Sequence, residues 1–518
     1  MPSKSISRRS FLNIIGGAAL LSTGYLAERK LGWLYLRDAI TFRYIPKEVN
    51  LDQLGELDRE FDICIVGSGP AGVILAIDLA RAGYNTLILE SGFHPESEAY
   101  DERIEQLEVF QHSGNIDYPI LESRYRGLGG TANVWTGRCP RLYPLDFEVN
   151  AYTPDGGKWP ITYEEMEPYF TRAETTLRVR GGKLSDYHPP RSKDLPIPLS
   201  KDIKYLKRTG ERIGVLVDDA PTSTGLNFLG RGPIVISADL LPEFSDQPQA
   251  TVLAGVTATR LFAGADGTVT GLEIKNLEQE TKTVRAKQYV LAAGTYENAR
   301  LLLLSASEHF PAGLGNDNDL VGRYFMEHPN IVFQGIIPEM KPAEDFETGR
   351  SHQFYESFKR EGYGSAILLF IRYPNQNKAL TIGASMESKP YESNRVTLSR
   401  DRKDYFGLPA THLEFNLHEE DFATIEKAKS LLRDLFKQLG AKEVREQELS
   451  FSYHPMGSCR MGDDPATSVI DRNLRVHSSP NLYLAGAAGF VTCGASNPTL
   501  TIAALSHRLA DHLMVQFN

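Results

Sequence analysis

Cysteine is scarce in this chain: four in 518 residues, Cys64, Cys139, Cys459 and Cys493, none in a CxxC or CxxH spacing. Such scatter supplies neither a zinc site nor a disulfide framework. Positive charge is also short, with 56 Lys and Arg against 66 Asp and Glu and a net charge of −10. That balance argues against a nucleic-acid partner, which needs a basic surface. Internal repeats and low-complexity tracts are missing, and 41% hydrophobic residues with 24% charged ones leave no compositional sign of extended disorder. The chain is also too long for one hydrophobic core, so at least two domains are expected.

The first 30 residues read differently. Lys4, Arg8 and Arg9 precede an uncharged run from Ser10 to Ala27, too short and Gly-rich to read as a membrane span. Within it, Ser7-Arg8-Arg9-Ser10-Phe11-Leu12 resembles the twin-arginine export signal, with Asn13 where that signal carries Lys. We expect residues 1–30 to direct export of the folded chain to the periplasm or the outer face of the cytoplasmic membrane. No clean A-x-A precedes Glu28, so the segment is also a candidate membrane anchor.

Residues 61–92 read FDICIVGSGPAGVILAIDLARAGYNTLILESG. A short apolar strand runs straight into Gly67-Ser68-Gly69-Pro70-Ala71-Gly72. Helical periodicity follows until Gly83, and TLILE forms a second strand ending in Glu90. The glycines differ in use. Gly67 makes the tight turn, Gly69 admits a pyrophosphate, and Gly72 lets helix and strand pack closely. The helix start offers free N–H groups and a positive dipole end to phosphate. Glu90, 23 residues after Gly67, is placed to accept ribose hydroxyls. A dinucleotide site is expected, and this unit alone does not choose between NAD and FAD.

Three further landmarks choose. RGLGGTANVWTG (126–137) is a glycine-rich loop in which Gly127, Gly129 and Gly130 allow close approach to a flat ligand, and Asn133 and Trp135 offer polar and stacking contacts. QYVLAAGTYENARLLLLS (288–305) reads as strand, Gly-Thr break and helix. NLYLAGAAGFVTCGASNPTLTIAALSHRLADHL (481–513) repeats that order, with Ile502, Leu505, Leu509 and Leu513 on one helical face. Just before it, YHPMGSCRMG (453–462) holds a lone His454 whose surroundings are neither helical nor strand-like.

Taken in order, GxGxxG with Glu90, GGTANVWTG, VLAAGTYENARLLLLS, VGRYFMEHP (321–329), HPMGSCRMG and NPTLTIAALSHRLAD resemble the signature of the glucose–methanol–choline (GMC) flavoprotein oxidoreductases. Among them the chain looks most like the branch of pyranose oxidases and bacterial sugar dehydrogenases. The resemblance implies an α/β (α+β) fold: a Rossmann-type FAD-binding domain with an antiparallel-sheet substrate domain. It implies FAD-binding segments over 60–160, 216–330 and 451–518, a substrate-domain segment or flavin lid over 161–215, and an antiparallel sheet over 331–450 roofing the flavin. It also implies oxidation of an alcohol, most simply a sugar or glycoside secondary hydroxyl, by proton abstraction and hydride transfer to flavin N5.

In that pattern His454 is the catalytic base and Asn497 its partner. A neutral histidine suits that role because its pKa lies near working pH. Asn497 before Pro498 also reads as an N-cap, with Pro498 as the first helical residue and the helix's positive end aimed at the flavin. The resemblance places the cofactor against residues 67–72 (Gly67, Ser68, Gly69, Pro70, Ala71 and Gly72), Glu90, Ser91, Gly129, Gly130, Thr131, Asn133, Val134, Trp135, Val256, Ala293, Gly294, Gly486, Pro498 and Thr499. Val134 stands where pyranose oxidases carry the histidine that tethers flavin, so FAD is expected to be non-covalent. Gly486 stands where many relatives have Asp. No metal is expected.

Tyr355, Phe358 and Tyr363 are candidates for sugar stacking, although a core role fits them better. Arg460 reads as a structural ion pair or a flavin neighbour. His328, His477 and His507 are the other histidines of interest. Electrons would pass to a quinone, a cytochrome or oxygen, with export favouring a dehydrogenase. The chain has no CxxCH, so any haem would sit on a partner subunit. Competing readings are a non-sugar alcohol or sterol substrate, non-redox chemistry such as cyanohydrin cleavage, and an electron-transfer subunit without turnover. An NAD-dependent dehydrogenase would leave the C-terminal motifs unexplained.

Overall fold

A computed structural model describes residues 59–93, 102–148, 157–196, 203–225, 233–341, 347–373 and 378–517. The twin-arginine-like segment lies outside them. The first unit is a parallel sheet of β1 (Phe61–Val66), β2 (Thr86–Glu90), β4 (Ala250–Ala254), β8 (Ala286–Leu291) and β17 (Leu482–Leu484), in the order β17-β8-β1-β2-β4. Its strands are nearly unbroken apolar runs because both faces are covered, as a parallel sheet requires. Helix α1 (Pro70–Arg81) begins on a proline, and Gly83 follows it at φ +95°. Three distant chain segments thus meet in one sheet, and α3 (Gly294–Leu304) and α6 (Thr499–Phe517) rise from β8 and β17. Leu505, Leu509 and Leu513 of α6 are fully buried, and α6 packs on α1 and on α2 (Tyr163–Thr176).

The second unit is antiparallel: β10 (Glu347–Ser351), β11 (Ala366–Arg372), β12 (Ala379–Met386), β9 (Pro329–Ile336) and β15 (Lys442–Glu446), with the short β16 (Ser450–Phe451) also on β9. The short helix α4 (Tyr355–Arg360) links β10 to β11. Helix α5 (Glu419–Gln438) covers the sheet with Ile425, Ala428, Leu432, Leu435 and Phe436. Burying this stripe contributes roughly 1.5–3 kcal/mol per large apolar side chain. Two smaller sheets complete the chain: β13 (Arg395–Lys403), β14 (Pro409–Glu414) and β3 (Phe110–Ser113), then β5 (Val256–Ala263), β6 (Val269–Asn276) and β7 (Thr281–Val284).

One expectation changes here. Segment 331–450 does not form a single sheet, because β13 and β14 belong with β3 from the 60–160 segment. Residues Arg400 to Lys403 are exposed, which suits β13 to an edge position and not to the interior of the larger sheet. Among the described residues no helix is long and apolar enough to cross a membrane, and no group of three or more His, Cys, Asp or Glu side chains could hold a metal ion.

Candidate active site

The glycines of the nucleotide loop divide by what surrounds them. A Cβ on Gly72 would lie 2.0 Å from the Gly67 carbonyl, and one on Gly67 would lie 2.5 Å from the Ala292 carbonyl, so these two allow close packing. Gly69 and Gly294 instead face space with nothing within 4 Å, and Gly486 meets only Ala71 Cβ at 3.8 Å. Gly69 and Gly486 therefore border open ground at the start of α1, where backbone N–H groups and the helix dipole favour phosphate, and Gly294 does so at the start of α3. Gly130 seats the second loop on the first, its Cβ position 3.0 Å from Gly69 Cα, and Gly129 N donates to Ser68 Oγ at 3.0 Å.

Glu90 ends β2, buried, and accepts from Ser68 N (3.1 Å), Ser68 Oγ (2.7 Å) and Gly92 N (2.9 Å). Arg126 donates to Ser91 Oγ at 2.7 Å, and that hydroxyl lies 2.8 Å from Thr257 Oγ1, beside the buried Val256. Val134, at the end of the second loop, is 56% exposed, an uncovered apolar side chain of the kind a flat ring system would hide. Open glycines, a held carboxylate and an uncovered valine fit FAD. Asn133 and Trp135 turn their polar atoms inward: Asn133 Nδ2 donates to Leu128 O, Asn133 Oδ1 accepts from Ser237 N, and Trp135 Nε1 donates to Ile234 O. These polar groups brace the loop where polar contacts to a ligand were expected.

His454 and Asn497 lie side by side, with Nε2 and Nδ2 3.1 Å apart. The partners fix the protons. His328 Nε2 faces the Cys493 carbonyl at 3.4 Å, and a carbonyl only accepts, so His328 carries its proton there and presents a lone pair at Nδ1. His454 Nδ1 is 2.9 Å away and therefore donates, which leaves His454 Nε2 unprotonated. Asn497 agrees: Arg350 donates to its Oδ1 at 2.9 Å, so its NH2 faces that lone pair. Burial first, then His328 and Arg350, push His454 well below the usual histidine pKa, and burial takes His328 down to about 4. The sequence placed the ionisation near that of ordinary histidine; the structure moves it lower.

Underneath lies Glu327, fully buried, which accepts from His454 N at 2.8 Å, His328 N at 2.7 Å and the Tyr118 hydroxyl at 2.5 Å. Burial pushes its carboxyl up to about 7 against those donors. The segment carrying His454 is pinned by mutual backbone bonds between Met326 and Met456 and by Gly457 N on Ala487 O.

The loop before Asn497 has its own brace. Lys359 joins Asp146 (2.6 Å) and Glu387 (3.1 Å), all three fully buried at the side chain. Glu387 accepts from Gly494 N, and the Tyr355 hydroxyl accepts from Ala495 N while donating to Asp146. Tyr355 and Phe358 are therefore core residues, 0% and 3% exposed, and not sugar platforms. Tyr363 is partly buried beneath the Lys427 ammonium. Helix α6 begins at Thr499, one residue later than expected, and Asn497 spends its Oδ1 on Arg350 and not on capping. Arg460 stacks on Tyr324 at 3.7 Å and donates to Thr467 O. His477 lies with Ser468 and His507 with Asp78, so of the other histidines only His328 joins the site. Sequence reasoning missed Glu327 and Arg350. The Glu-His pair inside VGRYFMEHP was a signal for the first; nothing in the sequence marked Arg350 apart from other arginines.

A parallel sheet with an open glycine cradle and a histidine–asparagine pair fits a flavin-dependent oxidoreductase. Similarity to known proteins agrees. Models of the GMC oxidoreductase family match residues 236–330 and 390–506, and an FAD binding domain model matches 60–133. The chain is 32% identical to a C-glycoside 3-oxidase of Arthrobacter globiformis over 407 residues, 74% of this chain and 72% of that protein. It is 25% identical to the fructose dehydrogenase large subunit of Gluconobacter japonicus, across 88% of this chain and 97% of that one. The solved formate oxidase of Aspergillus oryzae shares the fold, with a TM-score of 0.64 at 16% identity over 88% of this chain and 98% of the other. The chain belongs to the GMC oxidoreductase family, binds FAD and acts on CH–OH groups.

Proposed function

We propose that this protein oxidises a secondary hydroxyl of a sugar or glycoside to a carbonyl, as a dehydrogenase holding its FAD without a covalent bond. The observation that carries the reading is His454 Nε2 standing 3.1 Å from the Asn497 amide nitrogen, its lone pair assigned from the partners of His328 and Asn497. Bound FAD supplies the hydride acceptor. The substrate hydroxyl enters between the two side chains, donates to Nε2 and accepts from an Asn497 N–H. His454 then removes the hydroxyl proton as the C–H bond breaks. Glu327 holds the backbone of His454 in place through its N–H at 2.8 Å. Support for the substrate class comes from relatives named for fructose, paromamine and C-glycosides. The twin-arginine-like start supports export and an acceptor outside the cytoplasm, a quinone or a cytochrome, held by the membrane or a partner subunit. Anaerobic stopped-flow reduction of the bound flavin across sugars, glycosides and simple alcohols tests the reading, followed by reoxidation with quinone or oxygen. Reduction by simple alcohols alone refutes the substrate class, and rapid reoxidation by oxygen alone refutes the dehydrogenase.

A further inference from the structure

Alcohol oxidation uses His454 and Asn497 and leaves one charged neighbour unexplained. Arg350, near the end of β10, gives one terminal nitrogen to Asn497 Oδ1 at 2.9 Å, and its Nε is buried with no hydrogen-bond partner among the described residues. The edge of the guanidinium fork formed by Nε and the other terminal nitrogen is the edge that a carboxylate takes bidentately. Among the described residues no Asp or Glu side chain pairs with it.

Other buried arginines are provided for. Arg141 has Glu174 and Glu167, Arg191 has Glu174, and Arg372 has Glu347. Asp218, whose backbone exchanges hydrogen bonds with that of Arg350, turns its carboxylate to the Ser185 hydroxyl and to His188 at 3.5 Å. Burial first, and then the positive charge of Arg138, lower the pKa of Arg350 to about 9. The guanidinium is still charged at pH 7. His352 and His188, 2% and 7% exposed with ring centroids 4.0 Å apart, continue this wall. Both are held below the usual histidine pKa by burial first, and an imidazole, neutral or protonated, supplies no negative charge to balance the guanidinium. A cation withdrawn from water without a counter-ion is strongly unfavourable. This one touches the residue that receives the alcohol.

We propose that Arg350 anchors a carboxylate carried by the substrate, so that the preferred alcohol is an acidic one, of the sugar-acid or glycuronoside class. The inference rests on the reading of His454 and Asn497 as the alcohol site. No new bond chemistry is required: the carboxylate takes the unpartnered edge of Arg350 while the hydroxyl engages His454.

The test uses the FAD-loaded full chain and matched pairs, each a methyl glycuronoside and its neutral methyl glycoside, in several sugar configurations. Wild type should reduce its flavin with higher kcat/KM for the acid member. Arg350→Gln should lower the acid-to-neutral ratio by between about tenfold and a hundredfold, the worth of a hydrogen bond to a charged group. Arg350→Lys should recover part of it. Taking the ratio cancels any shared effect of moving Asn497. A deoxy-uronoside lacking the oxidisable hydroxyl should perturb the flavin absorbance of wild type and bind at least about tenfold more weakly to Arg350→Gln. Equal loss for both members of each pair would overturn the proposal, making Arg350 only a support for Asn497. Oxidation of the neutral members with no preference for the acids overturns the anchor and leaves the alcohol reading standing. Reduction by neither member overturns both.

Discussion

His328 touches no expected position of substrate, yet the proton arrangement predicts a large effect when it is changed. Its Nδ1 is the acceptor, 2.9 Å away, that keeps the His454 proton on Nδ1 and the lone pair on Nε2. His328→Leu fills similar apolar volume and removes that acceptor. The His454 N–H is then buried without a partner, at a cost of about 1–3 kcal/mol. The ring escapes that cost by moving its proton to Nε2, where it opposes the Asn497 amide and can no longer take a proton. Either outcome slows flavin reduction by about 5- to 150-fold. His328→Asn places a side-chain oxygen near the lost Nδ1 and should stay within a few-fold of wild type. Anaerobic stopped-flow reduction with the best substrate reads both. A wild-type rate in His328→Leu refutes the reasoning, and so does a loss in His328→Asn as large as that in His328→Leu.

Glu327 predicts a pH-dependent stability. Burial raises its carboxyl from the ordinary 4.5 to about 7, so the folded state binds that proton more tightly than the unfolded chain. The resulting stabilisation is present below pH 4.5 and is lost as pH rises through 7, up to about 3 kcal/mol in all. Glu327→Gln is neutral throughout, so it should gain on wild type between about pH 5 and pH 8 in thermal unfolding; parallel curves would contradict this. Acid or heat denaturation should release FAD into the supernatant, since Val134 offers no nucleophile, and flavin retained in the pellet would oppose the non-covalent reading. Replacing Arg8 and Arg9 with Lys should hold the flavin-loaded protein in the cytoplasm, because Lys keeps the charge and loses the forked donor; unchanged export in cell fractionation would count against the signal.

The parts legible in sequence are those where one local pattern has one physical use. The strand, glycine turn and helix of 61–83 can be read because close packing at Gly67 and Gly72 and open space at Gly69 each demand glycine. Helix α6 can be read from the spacing of its leucines. Helix α5 is marked as well, since Ile425, Ala428, Leu432 and Leu435 repeat at helical spacing, but it lies in a segment expected to be sheet throughout. The pairing of β14 with β3 joins residues about three hundred apart in the chain, which no local periodicity encodes. At the site, His454 and Asn497 can be read because each sits in a short motif. Arg350 cannot: what distinguishes it is a buried Nε without a partner on a guanidinium that holds Asn497, a property of the folded chain. Tyr355 and Phe358 bear out the core role that fitted them better than sugar stacking, although aromatic residues carry no sequence mark separating exposed from buried.

The central claim is that His454 removes the hydroxyl proton, and His454→Ala tests it most directly. The glycine cradle and Glu90 do not depend on His454, so the variant should bind FAD normally. Its flavin reduction should slow by about two to four orders of magnitude. In wild type the rate should fall as pH drops through an ionisation below histidine's ordinary 6.5, the direction set by burial, and that acid limb should vanish in the variant. Reduction of the His454→Ala flavin at the wild-type rate, with the acid limb intact, would contradict the account.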